Sequence, residues 1–302
     1  MKPLLIIGGA TGTGKSDIAV ACAKRLNGEV ISCDSMQIYR GLDVGTAKIR
    51  PEETEGVAHH MIDVVAPTES FTAAEYKTQA TKVIQNVYAQ GKVPILCGGT
   101  GLYINAVLYN LSFSGEYDEA LRASLLAEAK EHGKEYMHQK LASLDPEAAA
   151  RLHVNDEKRV IRAIEKALTG GKKENDFSKA EYPYLMFVTD LPRDVMYDRI
   201  NRRVDKMMSA GLKKEVDGLL DAGVGFDKQC MQAIAYKEWQ AEKLGEMTEA
   251  QVVELIKKNT RNYAKRQITW FKQYKDAIKI DVLNRSSEEI AKEICDKYNE
   301  EV

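Results

Sequence analysis

Short apolar runs that end in glycine or a small polar residue recur along the chain: Leu4 to Ile7, Val30 to Cys33, Val93 to Cys97, Leu185 to Val188 and, more weakly, Ile278 to Val282. Runs of this kind predict strands buried on both faces. Between the first three, the apolar positions follow helical spacing. A helix is predicted from Lys15 to Leu26, and two more open at capping boxes, Thr72 with Glu75 and Ser286 with Glu289. Alternating strand and helix predict an α/β fold, a parallel sheet covered by helices. From Ser114 to about Ser178 the pattern changes to helices alone, rich in Ala, Leu, Glu and Lys and closed by the polar stretch Thr169 to Ser178. This predicts an all-helical insertion. After Pro192 the chain reads as helical almost to Ile278, with breaks near Gly211, Gly223 to Gly225 and Gly245. The expected domains are a sheet core over 1–112 and 184–302, which includes the C-terminal helices, and an insertion over 113–183.

Composition narrows the class. With 302 residues, 44% of them hydrophobic and 29% charged, the chain has material for about two globular domains and is not a disordered or fibrous protein. It contains no run of about 18 apolar residues, and its start lacks a secretory pattern, so neither a membrane span nor a signal is expected. The five cysteines are widely spaced and never form C-x-x-C, so a reducing cytoplasm is expected. His59 and His60 have no further ligand at suitable spacing and read as an ordinary polar pair.

A net charge of -2 hides segregation. Between Leu255 and Lys275 there are seven bases, Lys257, Lys258, Arg261, Lys265, Arg266, Lys272 and Lys275, and no acid. Two further stretches each hold six bases and one acid: Lys158, Arg159, Arg162, Lys166, Lys172 and Lys173 with Glu165, and Arg199, Arg202, Arg203, Lys206, Lys213 and Lys214 with Asp205. Such blocks attract polyanions. Arg159, Arg162 and Lys166 share one helix face by spacing, as do Lys258, Arg261 and Lys265. A solvated charged face is the alternative for each set.

Gly9-Ala10-Thr11-Gly12-Thr13-Gly14-Lys15-Ser16 matches G-x-x-x-x-G-K-[ST], with a strand before it and a helix after it. Its glycines let backbone N–H groups surround an anion at a helix N-terminus, Lys15 adds positive charge, and the Ser16 hydroxyl can hold magnesium. The loop leaves open which phosphate-bearing molecule binds and whether phosphoryl transfer follows.

In an open α/β sheet ligands bind beyond the carboxyl ends of the strands. The second strand ends in Asp34-Ser35-Met36-Gln37-Ile38-Tyr39-Arg40, which sets an acid at the crevice or an aspartate in a turn. The third ends in Gly98-Gly99-Thr100-Gly101-Leu102-Tyr103. Its glycines permit close approach of backbone to ligand, and Thr100 offers a hydroxyl or a helix cap. Trp270, Phe271 and Tyr274 read as core of an amphipathic helix, with base stacking the alternative.

Together with the phosphate loop these clusters resemble the tRNA dimethylallyltransferase (tRNA isopentenyltransferase) family, bacterial type. The resemblance runs through Gly41-Leu42-Asp43-Val44-Gly45-Thr46-Ala47-Lys48; His60-Met61-Ile62-Asp63; Asn155-Asp156 with Arg159-Val160-Ile161-Arg162-Ala163; Arg203 with Met207, Gly211-Leu212 and Glu215; Ala233-Ile234-Ala235-Tyr236-Lys237-Glu238; and Thr260-Arg261-Asn262-Tyr263-Ala264-Lys265-Arg266-Gln267-Ile268-Thr269-Trp270-Phe271. Departures are local. Ala10, Gly12 and Thr13 stand where the family usually has Pro, Ala and Ser, Val154 where it has proline, and Ala235 where it has glycine.

The resemblance implies a P-loop NTPase-like core and transfer of a dimethylallyl group from dimethylallyl diphosphate to the exocyclic N6 amine of the adenosine 3′-adjacent to the anticodon. Asp34 is then the base and orienting acceptor. Lys15, the amides of Gly9 to Ser16, and Mg2+ on Ser16 hold the diphosphate, while Thr100 and Arg203 face its bridging and terminal oxygens. Asp34, Ser35, Met36, Gln37, Thr100, Arg122, Lys158, Arg159, Val160, Ile161 and Arg162 are expected to touch tRNA, and the insertion to contact it. The basic face of Lys258, Arg261 and Lys265 joins them on charge grounds. The partners expected are the tRNA anticodon stem-loop and dimethylallyl diphosphate, with the chain a monomer and no membrane involved. An adenylate isopentenyltransferase, a small-molecule kinase and a P-loop RNA-binding switch protein are the rival readings.

Overall fold

The computed structural model describes residues 2–113, 118–170 and 177–302. In chain order its first elements are β1 (Leu4–Gly9), α1 (Lys15–Leu26), β2 (Gly28–Ser32), β3 (His59–His60), α2 (Ala73–Ala89), β4 (Val93–Gly98) and α3 (Gly101–Leu108). Next come three helices, α4 (Glu119–Leu144), α5 (Pro146–Arg151) and α6 (Glu157–Leu168). The last are β5 (Tyr184–Asp190), α7 (Arg193–Ser209), α8 (Leu212–Asp221), α9 (Trp239–Lys243), α10 (Glu249–Phe271), β6 (Ile278–Asp281) and α11 (Ser287–Glu300).

The strands form one parallel sheet in the order β3-β2-β4-β1-β5-β6, the P-loop NTPase-like α/β architecture. All six residues of β1 are buried. Alternate residues point to opposite faces of a strand, so Leu4 and Ile6 enter one core while Leu5 and Ile7 enter another. The first core is closed by α2, α3, α8 and α10, through residues such as Tyr76, Ile104, Val216 and Ile256. The second is closed by α1, α7 and α11, through Ile18, Ile200 and Ile294. The continuously apolar strands of the sequence therefore serve two cores at once.

Two stretches depart from the helical expectation. Between β2 and α2 some forty residues carry no α-helix, only a 3-10 turn over Pro51–Thr54 and the short strand β3 paired with Val30 and Ile31. Gly41, Gly45, Gly56, Pro51 and Pro67 interrupt any helical run there. From Ala222 to Glu238 the chain makes only a single 3-10 turn, Cys230–Gln232, because Gly223 and Ala235 take positive φ. That segment is tied down from afar: the Gln229 carboxamide accepts from the Phe71 N–H at 3.1 Å and donates to its carbonyl at 2.8 Å. The capping boxes at Thr72 and Ser286 both form, and a third, Thr248 with Gln251, opens α10.

The segment Leu111–Asp176 is a separate compact unit, and the residues on either side belong to the sheet unit. Its helix α4 is broken at Gly133, and its core is built from Leu125, Met137, Leu141, Val160, Ile161 and Ile164. Glu165 is buried and accepts from Arg122 at 3.0 Å and from Arg162 at 2.9 Å. Lys172 and Lys173, counted among the basic residues of this region, lie outside the described residues.

Ala235, at a position where the family resemblance expects glycine, is buried with φ 80°. Its N–H donates to Glu238 Oε2 at 2.9 Å, which holds the turn. The left-handed region costs a side chain about 1–2 kcal/mol, and the extra freedom of glycine in the unfolded chain offsets part of that. Ala235→Gly should therefore stabilise the protein by about 0.5–1 kcal/mol, seen as a higher urea midpoint at unchanged slope. A lower midpoint would show that this turn is unstrained with alanine.

Candidate functional site

Because β4 lies between β2 and β1 in parallel register, with Ser32 opposite Cys97 and Gly8 opposite Gly98, the residues that follow the three strands emerge at one edge. These are the loop Gly9 to Ser16, the turn Asp34 to Gln37, and Thr100. The loop turns from β1 into α1 through Gly12 and Gly14, whose φ values of 83° and 82° suit glycine. Thr13 braces it from beneath: its hydroxyl donates to the Ala10 carbonyl at 2.9 Å and shares a 2.7 Å hydrogen bond with Thr189 of β5. Lys15 Nζ donates to the Ala10 carbonyl at 2.6 Å, which holds the ammonium over the loop. Burial lowers that ammonium to about 8, with Arg203 pushing the same way and the Cys97 and Asp34 side chains opposing. Ser16 is exposed in the first turn of α1.

Arg203 reaches the same place from α7. Its Nη1 donates to the Thr11 hydroxyl at 3.3 Å and its Nη2 to the Thr46 carbonyl at 3.1 Å. Burial lowers its pKa from the ordinary value, and Asp34 and Asp17 work against that; a guanidinium keeps its charge throughout. The alternatives left open for Asp34 are both realised. Its Oδ1 closes a turn by accepting from the N–H groups of Met36 at 2.8 Å and Gln37 at 3.3 Å, and among the described residues Oδ2 has no such partner. Thr100 Oγ1 accepts from the Ser35 N–H at 3.2 Å, does not cap α3, and shares a side-chain hydrogen bond with Tyr263. Two cations, loop amides and a helix N-terminus thus form a seat for a multiply charged anion, with a carboxylate oxygen and a hydroxyl beside it.

The glycines after β4 serve a different purpose from the one expected. A Cβ on Gly99 would lie 2.0 Å from Gln267 Nε2, and one on Gly101 1.9 Å from Trp270 Nε1. These glycines admit side chains of α10, and the backbone they expose is covered by the protein itself. Gln267 accepts from the Thr11 N–H at 2.9 Å and donates to the Gly99 carbonyl at 3.1 Å. Tyr263, one turn earlier, lies beside Thr100 and Gln267, its hydroxyl pushed up to about 12 by burial and then by the Asp34 charge. Neither residue was singled out from sequence, although a glutamine in the buried stripe of Ile256, Ala264 and Phe271 is the signal that marks it. Phe271 and Tyr274 are buried core, as expected.

The basic residues are unequal in freedom. Lys158 and Arg159 are exposed on α6, Arg159 with Asp156 at 3.4 Å. Arg122 and Arg162 are engaged with Glu165. Val160 and Ile161 are buried in the helical unit, so only their main chain can face a partner. On α10, Lys258 is exposed, while Arg261 donates to Asn201 at 2.5 Å and Lys265 sits 5.8 Å from the Tyr197 ring centre, both on α7. Lys257 is paired with Asp205 and Glu254. The acid-free block is therefore partly neutralised from elsewhere in the chain. His60 pairs with Glu29 at 2.7 Å and His59 with the Val57 carbonyl at 2.9 Å.

A family model described as IPP transferase matches residues 37–274. The chain is 44% identical over 296 residues to a tRNA dimethylallyltransferase of Exiguobacterium, covering 97% of this chain and 95% of that one. A second tRNA dimethylallyltransferase, from Acetivibrio thermocellus, is 45% identical and covers 90% of each. Among solved structures, a full-length tRNA isopentenylpyrophosphate transferase of Bacillus halodurans is 42% identical, with a TM-score of 0.76 over 99% of this chain and 98% of that one. A eukaryotic dimethylallyltransferase acting on tRNA is 27% identical, with a TM-score of 0.77 over 94% of this chain and 75% of that one.

Because Lys15 is charged below about pH 8, its attraction for a bound anion is complete at lower pH and lost as pH rises through that value. Affinity for inorganic pyrophosphate should then fall between about pH 7 and pH 9 more steeply than in Lys15→Arg, whose guanidinium does not titrate there. Calorimetric titration of both proteins checks this. Parallel pH profiles would mean that Lys15 does not face the anion.

Proposed function

Because the chain belongs to the IPP transferase family and catalyses dimethylallyl transfer to tRNA, we propose that its phosphate loop holds the diphosphate of dimethylallyl diphosphate as a leaving group, with no phosphoryl transfer. The acceptor is the exocyclic N6 amine of the adenosine 3′-adjacent to the anticodon, and diphosphate is released. The observation that carries this reading is the convergence of Lys15, Arg203, Thr100 and the unpartnered Asp34 oxygen at one edge of the sheet.

That amine is a poor nucleophile, since its lone pair is delocalised into the ring, so it must be aligned and relieved of a proton as the new C–N bond forms. Asp34 Oδ2 accepts that proton while Oδ1 keeps the turn in place. As the allylic C–O bond breaks, negative charge grows on the departing diphosphate. Lys15, Arg203 and the loop amides stabilise it, and Thr100 donates to the bridging oxygen. Ser16 fits a magnesium site: its exposed hydroxyl is a hard oxygen donor with no hydrogen bond among the described residues. Magnesium held there with the diphosphate oxygens would neutralise further charge on the leaving group.

An anticodon-loop adenosine is unpaired, so drawing it out of its stack needs little energy. Asp34 to Gln37 and Thr100 face it in this reading, while Lys158, Arg159, the Val160 and Ile161 main chain, Arg162, Arg122, Lys258, Arg261 and Lys265 serve the surrounding phosphates. The insertion is the tRNA-contacting domain, and the chain acts as a monomer in the cytoplasm.

Asp34→Asn keeps the turn acceptor and removes the base, so single-turnover transfer should fall by about two to four orders of magnitude. Near-normal rates would reduce Asp34 to a turn residue. Lys15→Ala should lose turnover and keep tRNA affinity; equal loss of both would break this division of labour. Removing Lys158 and Arg159 together should weaken stem-loop binding and flatten its salt dependence, by roughly 0.7 to 0.9 in log–log slope for each phosphate no longer neutralised. Mass analysis of nucleosides after incubation with stem-loop, AMP or ATP as acceptor tests the reading directly. Efficient prenylation of AMP, with salt-independent stem-loop binding, would assign the chain to free nucleotides.

A further inference from the structure

Gln267 is buried on α10, and both ends of its carboxamide are engaged with backbone on the edge where the site lies. Oε1 accepts from the N–H of Thr11, inside the phosphate loop, and Nε2 donates to the carbonyl of Gly99, the residue before Thr100. A carboxamide is planar, with one acceptor and one donor group at fixed separation. It therefore sets the distance between the loop and the turn that carries Thr100. The absence of a Cβ at Gly99 lets the side chain come this close. Thr11 is held on its other side by Arg203, and Thr100 by the Ser35 N–H, so beyond the last β1–β4 pair, Gly8 with Gly98, Gln267 spans the loop and the turn directly.

We propose that Gln267 is a positioning residue for the transfer step: it holds the diphosphate loop and the Thr100 hydroxyl at the separation needed for the donor's terminal and bridging oxygens to be engaged together. This rests on the reading of the loop as the diphosphate site. Both ends of the Gln267 carboxamide are taken by protein backbone, so it acts through its partners. Its effect passes through Thr100 and Thr11, which distinguishes it from a residue that merely supports the fold.

The test compares Gln267→Leu and Gln267→Glu with the unaltered protein, each alone and combined with Thr100→Ala. Thermal midpoint, anticodon stem-loop affinity, donor KM and kcat are read in every case. Leucine fills the space and loses both bonds; glutamate keeps the acceptor for Thr11 and cannot donate to Gly99. Displacing a reacting group by about 1 Å lowers rate on the order of 10²-fold. Gln267→Leu should therefore lower kcat by about that factor with stem-loop affinity unchanged, and Gln267→Glu should lower kcat while leaving donor KM closer to normal. In the Thr100→Ala background the kcat effect of either change should largely vanish, because the separation no longer serves a hydroxyl. If Gln267→Leu does not fold, the Gln267→Glu cycle decides alone. Unchanged kcat, or effects fully additive with Thr100→Ala, overturn the proposal. Lys15→Ala run in parallel separates the two levels: its normal turnover would overturn the diphosphate reading and this inference with it, whereas impaired Lys15→Ala beside normal Gln267 variants would overturn this inference alone.

Discussion

The site depends on the parallel pairing of β2, β4 and β1. Parallel strands all end on the same edge of a sheet, and neighbouring strands are about 4.8 Å apart. Residues that follow three adjacent strands are therefore brought into one neighbourhood. Here that constraint delivers the phosphate loop, the Asp34 turn and Thr100 to one place, although they lie far apart in sequence. The two apolar cores that hold the sheet between helix layers are the energetic basis of the site, since a slip of register would move both the buried side chains and the loop ends.

Within this frame the charges have little freedom. Lys15 and Arg203 are both shifted toward their neutral forms by burial, and Asp34 opposes that shift in each. Both side chains are desolvated by burial, so a charge that develops beside them meets oriented dipoles and fixed cations at a lower effective dielectric than in bulk water. In the function we propose, the same arrangement gives the P-loop a diphosphate to hold as leaving group, with the Asp34 carboxylate beyond the end of a neighbouring strand as the acceptor of the proton.

Helix α10 and the segment around Glu215 add a second layer. The Glu215 carboxylate of α8 accepts from the N–H groups of Asp43, Val44 and Gly45 and from the Tyr236 hydroxyl. This fixes the loop whose Thr46 carbonyl holds Arg203. The buried Lys48 ammonium ties Tyr39, Asp43 and Asp63 together beside it. Long irregular backbone between β2 and α2 is thus ordered by side chains, its own and those of α8, because the short ladder of β3 and one 3-10 turn satisfy few of its polar groups.

The sequence by itself determined five of the six strands, all but β3, together with α1, the capped starts of α2 and α11, and the phosphate loop, since each is written in local periodicity or in a contiguous motif. It also located Asp34 and Thr100, because strand ends in a parallel sheet are where ligands bind. Only the tertiary structure decided that Asp34 both closes a turn and leaves one oxygen unpartnered, that the glycines after β4 admit Gln267 and Trp270, and which basic residues are already occupied. The irregular stretch from Cys33 to Thr72 and the turn at Ala235 escaped the helical reading for the same reason. Local pattern registers neighbours three or four residues away, whereas the bond from Thr11 to Gln267 joins residues 256 positions apart, and such a pairing exists only once the sheet has brought both ends to the same edge.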